Sequence, residues 1–583
     1  MQGNCAGRPQ LSRNKANSSS RMRWTLKPHQ DESQCRALEE ALKVDPLVAE
    51  LLLQRGIGTF EDARKFFRPR LSDLHDPFSM KDMERAVERI ETAISDKENI
   101  LVYGDYDVDG TTSVALLSSF LLETYPNVAT YIPDRYTEGY GVSYQGIDYA
   151  SDNAIGLIIA LDCGVKAVAQ VAYANDKGID FIICDHHRPG EVLPAAVAVL
   201  DPKRDDCQYP YKELCGCGVG FKLAQALAQR QGRGVAELIP YLDLVATAIG
   251  ADIVPMTGEN RILTQFGLER INTRPRPGLQ ALIAQTKKEV LSSTDVVFLI
   301  APRINAAGRM KHGLQAVELL TEANPDRAMV LAAEIETFNT ERRGLDQEIT
   351  EEALLQIREN EEEKRFTSVV FKEHWHKGVI GIVASRLTET YYRPTLVFTK
   401  SGEKLAASAR SVKGFDVYEA LEGCADYIEQ FGGHKYAAGL TLSESQYELF
   451  KARFEEVVSA TIDPSLLVPE IQVDALIRLD QITPRLMRII KQFAPFGPGN
   501  PNPVFMAEHL RDTGAGRTVG QEGKHLKLSV VQETSAPIGA IGFNLGDKLG
   551  LVAGGKHFSA VFSLDENEWN GTVSLQLKLK DLR

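Results

Sequence analysis

The chain has 583 residues, 43% of them apolar and 25% charged, with a net charge of −13. That length calls for several packed cores, and the composition is that of an ordinary globular protein. It excludes a disulfide-dense chain, and no apolar run approaches the roughly 20 residues that cross a bilayer. The acidic balance argues against a general nucleic-acid coat protein. It leaves room for a nuclease, because the field that matters is that of the cleft.

In chain order, residues 1–22 are basic, Ser-rich and free of acids, with no apolar centre of a secretory signal. They read as a disordered lead or an over-called start. Residues 23–69 read as short helices, with apolar periodicity from Ala37 to Leu53 and again from Phe60 to Phe67. Then come continuous apolar runs at Ile100–Tyr103, Val128–Pro133, Leu157–Leu161, Phe181–Cys184 and Ala196–Leu200. Helical patterns separate them, notably Thr112–Glu123 and Lys166–Lys177. Such strands alternating with helices predict a doubly wound parallel α/β domain over residues 70–315. Residues 316–365 are helical and heavily charged, the pattern of a connecting helix. Residues 366–462 predict a second α/β unit, and residues 463–583 a small β-barrel of short alternating strands. Phe543, Phe558 and Trp569 of that barrel read as core. The eight cysteines are scattered, with only a lone C-x-C at Cys215 and Cys217, which suits a reducing, cytoplasmic setting.

The chemistry lies at the strand ends. The first run leads into Asp105-Tyr106-Asp107-Val108-Asp109-Gly110, the third into Asp162-Cys163-Gly164 and the fourth into Asp185-His186-His187. Asp252 follows a further helical segment. Open parallel sheets bind ligands beyond the carboxyl ends of their strands, so these acids and histidines converge on one rim. Carboxylates suit Mg²⁺ or Mn²⁺, and imidazole suits Mn²⁺ as well. Two such ions about 4 Å apart activate water and stabilise the leaving oxygen of a phosphoester. Gly104 and Gly110 supply the freedom to bend the acidic turn. A calcium loop of the EF-hand kind needs a glutamate where this chain has Leu116.

This succession of four motifs resembles the DHH phosphoesterase superfamily, and within it the RecJ family. Ile132-Pro133-Asp134-Arg135, Glu138-Gly139-Tyr140-Gly141 and Pro302 to Met310 are similar to that family. Gly378 to Ala384, Ser408-Ala409-Arg410-Ser411 and Gly432-Gly433-His434-Lys435 resemble its DHH-associated substrate domain. Phe496 to Pro501 and Lys524 to Leu528 resemble its OB-type barrel. The resemblance implies a DHH catalytic domain at 70–315, a DHH-associated domain at 366–462 and an OB-type nucleic-acid-binding domain at 463–583. It implies a metal-dependent exonuclease that degrades single-stranded DNA from the 5′ end to 5′-mononucleotides, in recombination and repair, with a helicase and a single-strand-binding protein as partners.

By position it implies Asp107, Asp109, Asp162, His186 and Asp252 as ligands of two Mn²⁺ or Mg²⁺ ions. It implies His187 as a catalytic group facing the phosphate and Asp105 as a ligand or a supporting acid. Many superfamily members carry a histidine where this chain has Tyr103. Arg135, Arg303, Asn305 and Arg309 would line the substrate groove. Ser408, Arg410, Gly433 and His434 would hold the 5′ phosphate, with Gly432-Gly433-His434 a flexible loop whose N–H groups approach the anion. Two rivals stand beside this reading. One is a phosphodiesterase for short oligonucleotides or cyclic dinucleotides, which would lack the long C-terminal barrel. The other is a non-catalytic scaffold relative, which would have lost the acids.

Overall fold

The structure is a computed structural model that describes residues 22–569 and 571–583. The expectation for the first residues of the chain lies outside the described residues, apart from Met22. The chain divides into two units. The larger comprises Pro28–Glu352, His374–Val383 and Asp474–Arg583; the smaller holds Ala353–Glu373, Ala384–Val473 and the segment ending at Lys27.

The larger unit is organised on a five-stranded, wholly parallel sheet. Its strands are β1 (Asn99–Gly104), β2 (Val128–Tyr131), β3 (Ile155–Leu161), β4 (Asp180–Cys184) and β5 (Ala198–Leu200), in the order β2-β1-β3-β4-β5. The apolar runs are continuous because both faces are covered. Ile100, Val102, Leu157, Ile159 and Ile182 enter one core, and Leu101, Tyr103, Ile158, Phe181 and Ile183 enter the other. Each such buried side chain contributes roughly 1.5–3 kcal/mol. Chain order reverses beside β1: β2 lies on one flank and β3 on the other. The carboxyl ends of β1 and β3 therefore flank a topological switch point, where open α/β sheets bind ligands.

The helices that matter are α1 (Val108–Leu122), α2 (Gly216–Arg230), α3 (Leu242–Ala251) and α4 (Ala301–Met310). Helix α1 begins four residues before the expected Thr112, because Asp107 caps it: its carboxylate accepts from Gly110 N–H at 3.0 Å. A long helix, α5 (Pro325–Glu359), occupies most of the expected connector.

The smaller unit carries β6 (Ser368–Phe371), β7 (Thr395–Ser401), β8 (Lys404–Arg410), β9 (Gln430–His434) and β10 (Ala437–Ser443), in the order β9-β10-β8-β7-β6. The Gly432-Gly433-His434 segment is thus an edge strand, not the expected flexible loop. Gly433 pairs with Ala438, an alignment that local sequence does not announce. Arg23–Leu26 likewise departs from the expected helical segment, pairing in parallel with Glu470–Val473.

The C-terminal strands β11 (Phe505–Asp512), β12 (His525–Gln532), β13 (Ile538–Gly542), β14 (Phe558–Trp569) and β15 (Thr572–Leu582) run β11-β14-β15-β13-β12, and β12 pairs back onto β11. That pairing closes the sheet into the expected OB-type barrel. Leu526, Leu528, Val530 and Leu577 fill it, together with Phe558. Leu38, Val48, Leu51 and Leu52 of the N-terminal helices join the same core. Phe543 departs from the core expectation: it is half exposed, beside His525 and Lys578. The side chain of Trp569 lies outside the described residues.

Candidate metal centre

The carboxyl end of β1 releases the chain into Asp105. This residue is wholly buried, and neither of its oxygens accepts a hydrogen bond among the described residues. Burial, and then the charge of Asp107, push its carboxyl well above the ordinary range, with Arg135 and His187 partly offsetting the rise. Gly110 must come close to it: a Cβ there would lie 2.3 Å from the Asp105 carbonyl oxygen. Close approach, and not a left-handed turn, is what requires glycine at Gly110, which corrects the expectation from flexibility.

Asp109 projects from the first turn of α1 onto the start of α2. Its two oxygens accept from Gly216 N–H at 2.7 Å and Cys217 N–H at 2.8 Å. Those N–H groups have no partner within α2, and the helix dipole favours a negative charge beside them. Even so, burial and the nearby Asp107 raise Asp109 to about 7. Asp162 ends β3 with a left-handed φ of 60°. It sits so close to Gly216 that a Cβ there would lie 2.5 Å from the Asp162 Cβ. Burial, then Asp109 and Asp107, raise it strongly. Asp252 caps the end of α3, and burial followed by Asp109 raises it to about 8.

His186 joins these acids. Its Nε2 lies 3.2 Å from Asp162 Oδ1, 3.6 Å from Asp252 Oδ2 and 3.7 Å from Asp109 Oδ2. Ligand atoms of Asp109, His186 and Asp252 fall within 4.8 Å of one another, as do those of Asp162, His186 and His187. Buried carboxylates crowded this closely, with their proton affinities raised, are a donor set that a divalent cation neutralises. The set of carboxylate oxygens and imidazole nitrogen fits Mn²⁺ or Mg²⁺.

His187 is oriented from behind. Asp185 Oδ1 accepts from its Nδ1 at 2.8 Å and from the backbone N–H groups of His186 and His187. Asp185 Oδ2 accepts from Val165 N–H at 2.9 Å. Burial alone would lower His187, but the hydrogen bond and charge of Asp185 outweigh it and raise the imidazole to about 9. The same pairing overcomes burial at Asp185 and holds it far below the ordinary carboxylate range. On the other side, Tyr140 Oη lies 3.3 Å from His187 Nε2.

Tyr103 is not in this cluster. Its hydroxyl donates to Gly141 O at 2.9 Å, accepts from Ser143 N–H at 3.1 Å, and its ring stacks on Tyr131. Arg135 covers the Tyr106 ring at 4.0 Å, beside the acidic turn. Arg303 pairs with Glu336 at 2.7 Å and Arg309 donates to Gly378 O at 2.9 Å. Asn305 is half-buried on α4 between them. Ser408, Arg410, Gly433 and His434 belong to the smaller unit, where Ser408 and Arg410 share one face of β8 and Arg410 donates to Ser408 Oγ at 3.1 Å. Two contributors went unread in the sequence. Tyr140 stood only as part of a motif. Asp201, at the carboxyl end of β5, is fully buried, and burial raises it to about 7, with Asp185 adding to the rise and His187 opposing it. The strand-end rule that found Asp105, Asp162 and Asp185 would have found it too.

Three family models match the chain. They are the DHH family N-terminal domain over residues 99–249, the DHHA1 domain over 363–460 and the RecJ OB domain over 473–581. The chain is 38% identical to the single-stranded-DNA-specific exonuclease RecJ of Bacillus subtilis, over 97% of this chain and 71% of that protein. It is 35% identical to the enzyme of the same name from Escherichia coli, over 93% and 96% respectively. The crystal structure of RecJ in complex with Mn²⁺ from Thermus thermophilus superposes with a TM-score of 0.84 at 29% identity, covering 97% of this chain and 80% of that one.

Proposed function

The chain belongs to the RecJ family, and from that premise we propose that it is a single-stranded-DNA-specific, metal-dependent exonuclease. It runs 5′ to 3′, releases 5′-mononucleotides and acts in recombination and repair. The observation that carries the reading is the convergence of Asp109, Asp162, Asp252 and His186 beyond the switch point of the sheet. Asp107 and Asp105 complete the acidic wall on the β1 side.

When bound, divalent ions supply positive charge to meet a phosphodiester and the acidity that makes water a nucleophile near neutral pH. The chain's own groups do the rest. Gly216 and Cys217 N–H orient Asp109, so the ligand oxygens need no rearrangement. Asp185 keeps a proton on His187 Nδ1 and leaves Nε2 directed toward Tyr140, where it can donate to a phosphate oxygen or to the departing 3′ oxygen. Arg135 holds positive charge beside the acidic turn. In the smaller unit Arg410 and Ser408, near Gly433 and His434 of the same sheet, suit a terminal phosphate, which sets the polarity. On the barrel, Phe543 with His525 and Lys578 offers a base a ring and a cation.

Because duplex ends offer no free strand, a helicase and a single-strand-binding protein are the partners this activity calls for. A cytoplasmic setting accords with free cysteines such as Cys184, Cys215 and Cys217. Among the described residues no helix is long and apolar enough to cross a membrane.

The test is digestion of 5′-labelled and 3′-labelled single strands with Mn²⁺, against a duplex control. Immediate release of label as mononucleotide from the 5′-labelled strand only, with Asp107→Ala inactive, is the expected result. Cleavage confined to dinucleotides would reverse the substrate assignment.

A further inference from the structure

Asp252 differs from the other acids of the cluster. Asp105, Asp109 and Asp162 are gripped by the sheet or by a helix start, whereas Asp252 stands at the end of α3, just before an irregular segment. The next residue, Ile253, is β-branched, 64% exposed and held at a left-handed φ of 58°. Such a backbone relaxes unless its surroundings over-determine it. Pro255 O accepts from Asn260 Nδ2 at 3.0 Å and from Tyr211 Oη at 3.2 Å, and a further restraint comes from the far end of the chain.

Three residues beyond Ile253, Met256 N–H donates to Pro498 O at 2.6 Å. Pro498 belongs to the tight turn Gly497–Asn500, closed by reciprocal backbone bonds of 3.0 Å between its first and last residues. The turn fits the Asp252 segment without slack. A Cβ at Gly497 would lie 3.0 Å from Met256 Cβ, and one at Gly499, where φ is 75°, would lie 2.9 Å from Thr257 Cγ2. The turn is itself fixed. Asn500 is buried and donates to Phe493 O and Pro495 O at 2.7 and 2.9 Å, while its Oδ1 accepts from Arg55 Nε at 2.9 Å. Ser293 Oγ donates to Phe496 O at 2.8 Å.

We infer that the Gly497–Asn500 turn, which leads into the C-terminal barrel, is a positioning element for the metal centre: it holds Asp252 at its ligating place through Met256 and Thr257. The inference rests on the proposed metal site. The turn touches no reacting atom. It makes cation affinity depend on the docking of the domain proposed above to hold nucleic acid.

The experiment is Mn²⁺ titration by calorimetry on the full chain, for wild type, Gly499→Ala, the double variant Gly499→Ala/Thr257→Ser, and Gly514→Ala. The last also forces a side chain onto a left-handed glycine of the C-terminal domain (φ 94°), but with nothing within 4 Å of the new Cβ. Gly499→Ala is expected to weaken Mn²⁺ binding about tenfold, in the range seen when groups orienting a metal ligand are lost. Thr257→Ser, which removes the opposing methyl and keeps the hydroxyl, is expected to recover part of it. Gly514→Ala is expected to bind as wild type. Wild-type affinity in Gly499→Ala, or an equal loss in Gly514→Ala, overturns the positioning role while leaving the metal site intact. A wild-type chain that binds no Mn²⁺ overturns the metal site itself. If Gly499→Ala does not fold, Ser293→Ala loosens the same turn more gently. A twofold or greater loss of affinity is then expected, and unchanged affinity overturns the inference.

Discussion

Single side chains at the centre work against their own solvation. Burial and neighbouring charge raise Asp109 and Asp252 to about 7 and about 8 from a carboxyl value of 3.8, so a cation in the proposed site competes with protons near neutral pH. Mn²⁺ affinity should therefore rise between about pH 6 and 9, with protons released on binding, read by calorimetry in buffers of different ionisation enthalpy. The sign for stability is opposite. Between roughly pH 4 and 8 the chelated, folded chain binds more protons than the unfolded one, so its stability falls as pH rises and Mn²⁺ restores it. Thermal melts with and without chelator across that range check this; a chelated chain that grows more stable from pH 5 to 8 would contradict it. Asp185 acts on the same scale but at one remove. Asp185→Asn keeps the shape yet removes the charge that orients and charges His187, and should cost about 10–100-fold in turnover. Melting temperature and circular dichroism separate that loss from unfolding.

At the scale of elements, the site depends on how closely α1 and α2 approach the strand ends. Helix α2 starts against Asp162 and presents two N–H groups to Asp109, an arrangement open only to glycine at the contact. Gly216→Ala should push Asp162 aside and lower activity about 10²-fold, the usual cost of an ångström-scale misplacement, with helix content unchanged. This element also shows where sequence reading stops. The acids at strand ends were legible because a parallel sheet delivers its loops to one rim. The start of α1 at Val108 was not, because Asp107 serves both as helix cap and as acid, and the pattern of acids reads as a loop. The edge strand at Gly432–His434 was hidden for a related reason. Its conformation is set by pairing with β10, while its glycines locally signal a turn.

Over the whole larger unit, one buried cation joins parts distant in sequence. Arg261 is 5% exposed and donates to the carbonyls of Phe66, Gln492, Phe493, Ala494 and Pro495, with its guanidinium 3.8 Å over the Phe66 ring. Burial lowers it to about 9. Arg261→Met leaves several buried carbonyls without a donor, and should destabilise the chain by about 2–4 kcal/mol, visible as a drop of several degrees in melting temperature. No local pattern marked this residue, since its partners are backbone oxygens from two remote segments.

The amino-acid sequence by itself determined the parallel sheet, the chemistry at its rim and the C-terminal barrel. Each rests on periodicity or on residue type at a strand end, and both are local. It could not determine that Tyr103 turns away from the acids or that Phe543 is exposed. Tertiary structure alone decided what orients the residues of the proposed site: N–H groups of α2 for Asp109, Asp185 for His187 and, by the inference above, the Gly497–Asn500 turn for Asp252. Such orientation is exerted by backbone groups brought together by folding, and backbone groups are the same in every sequence.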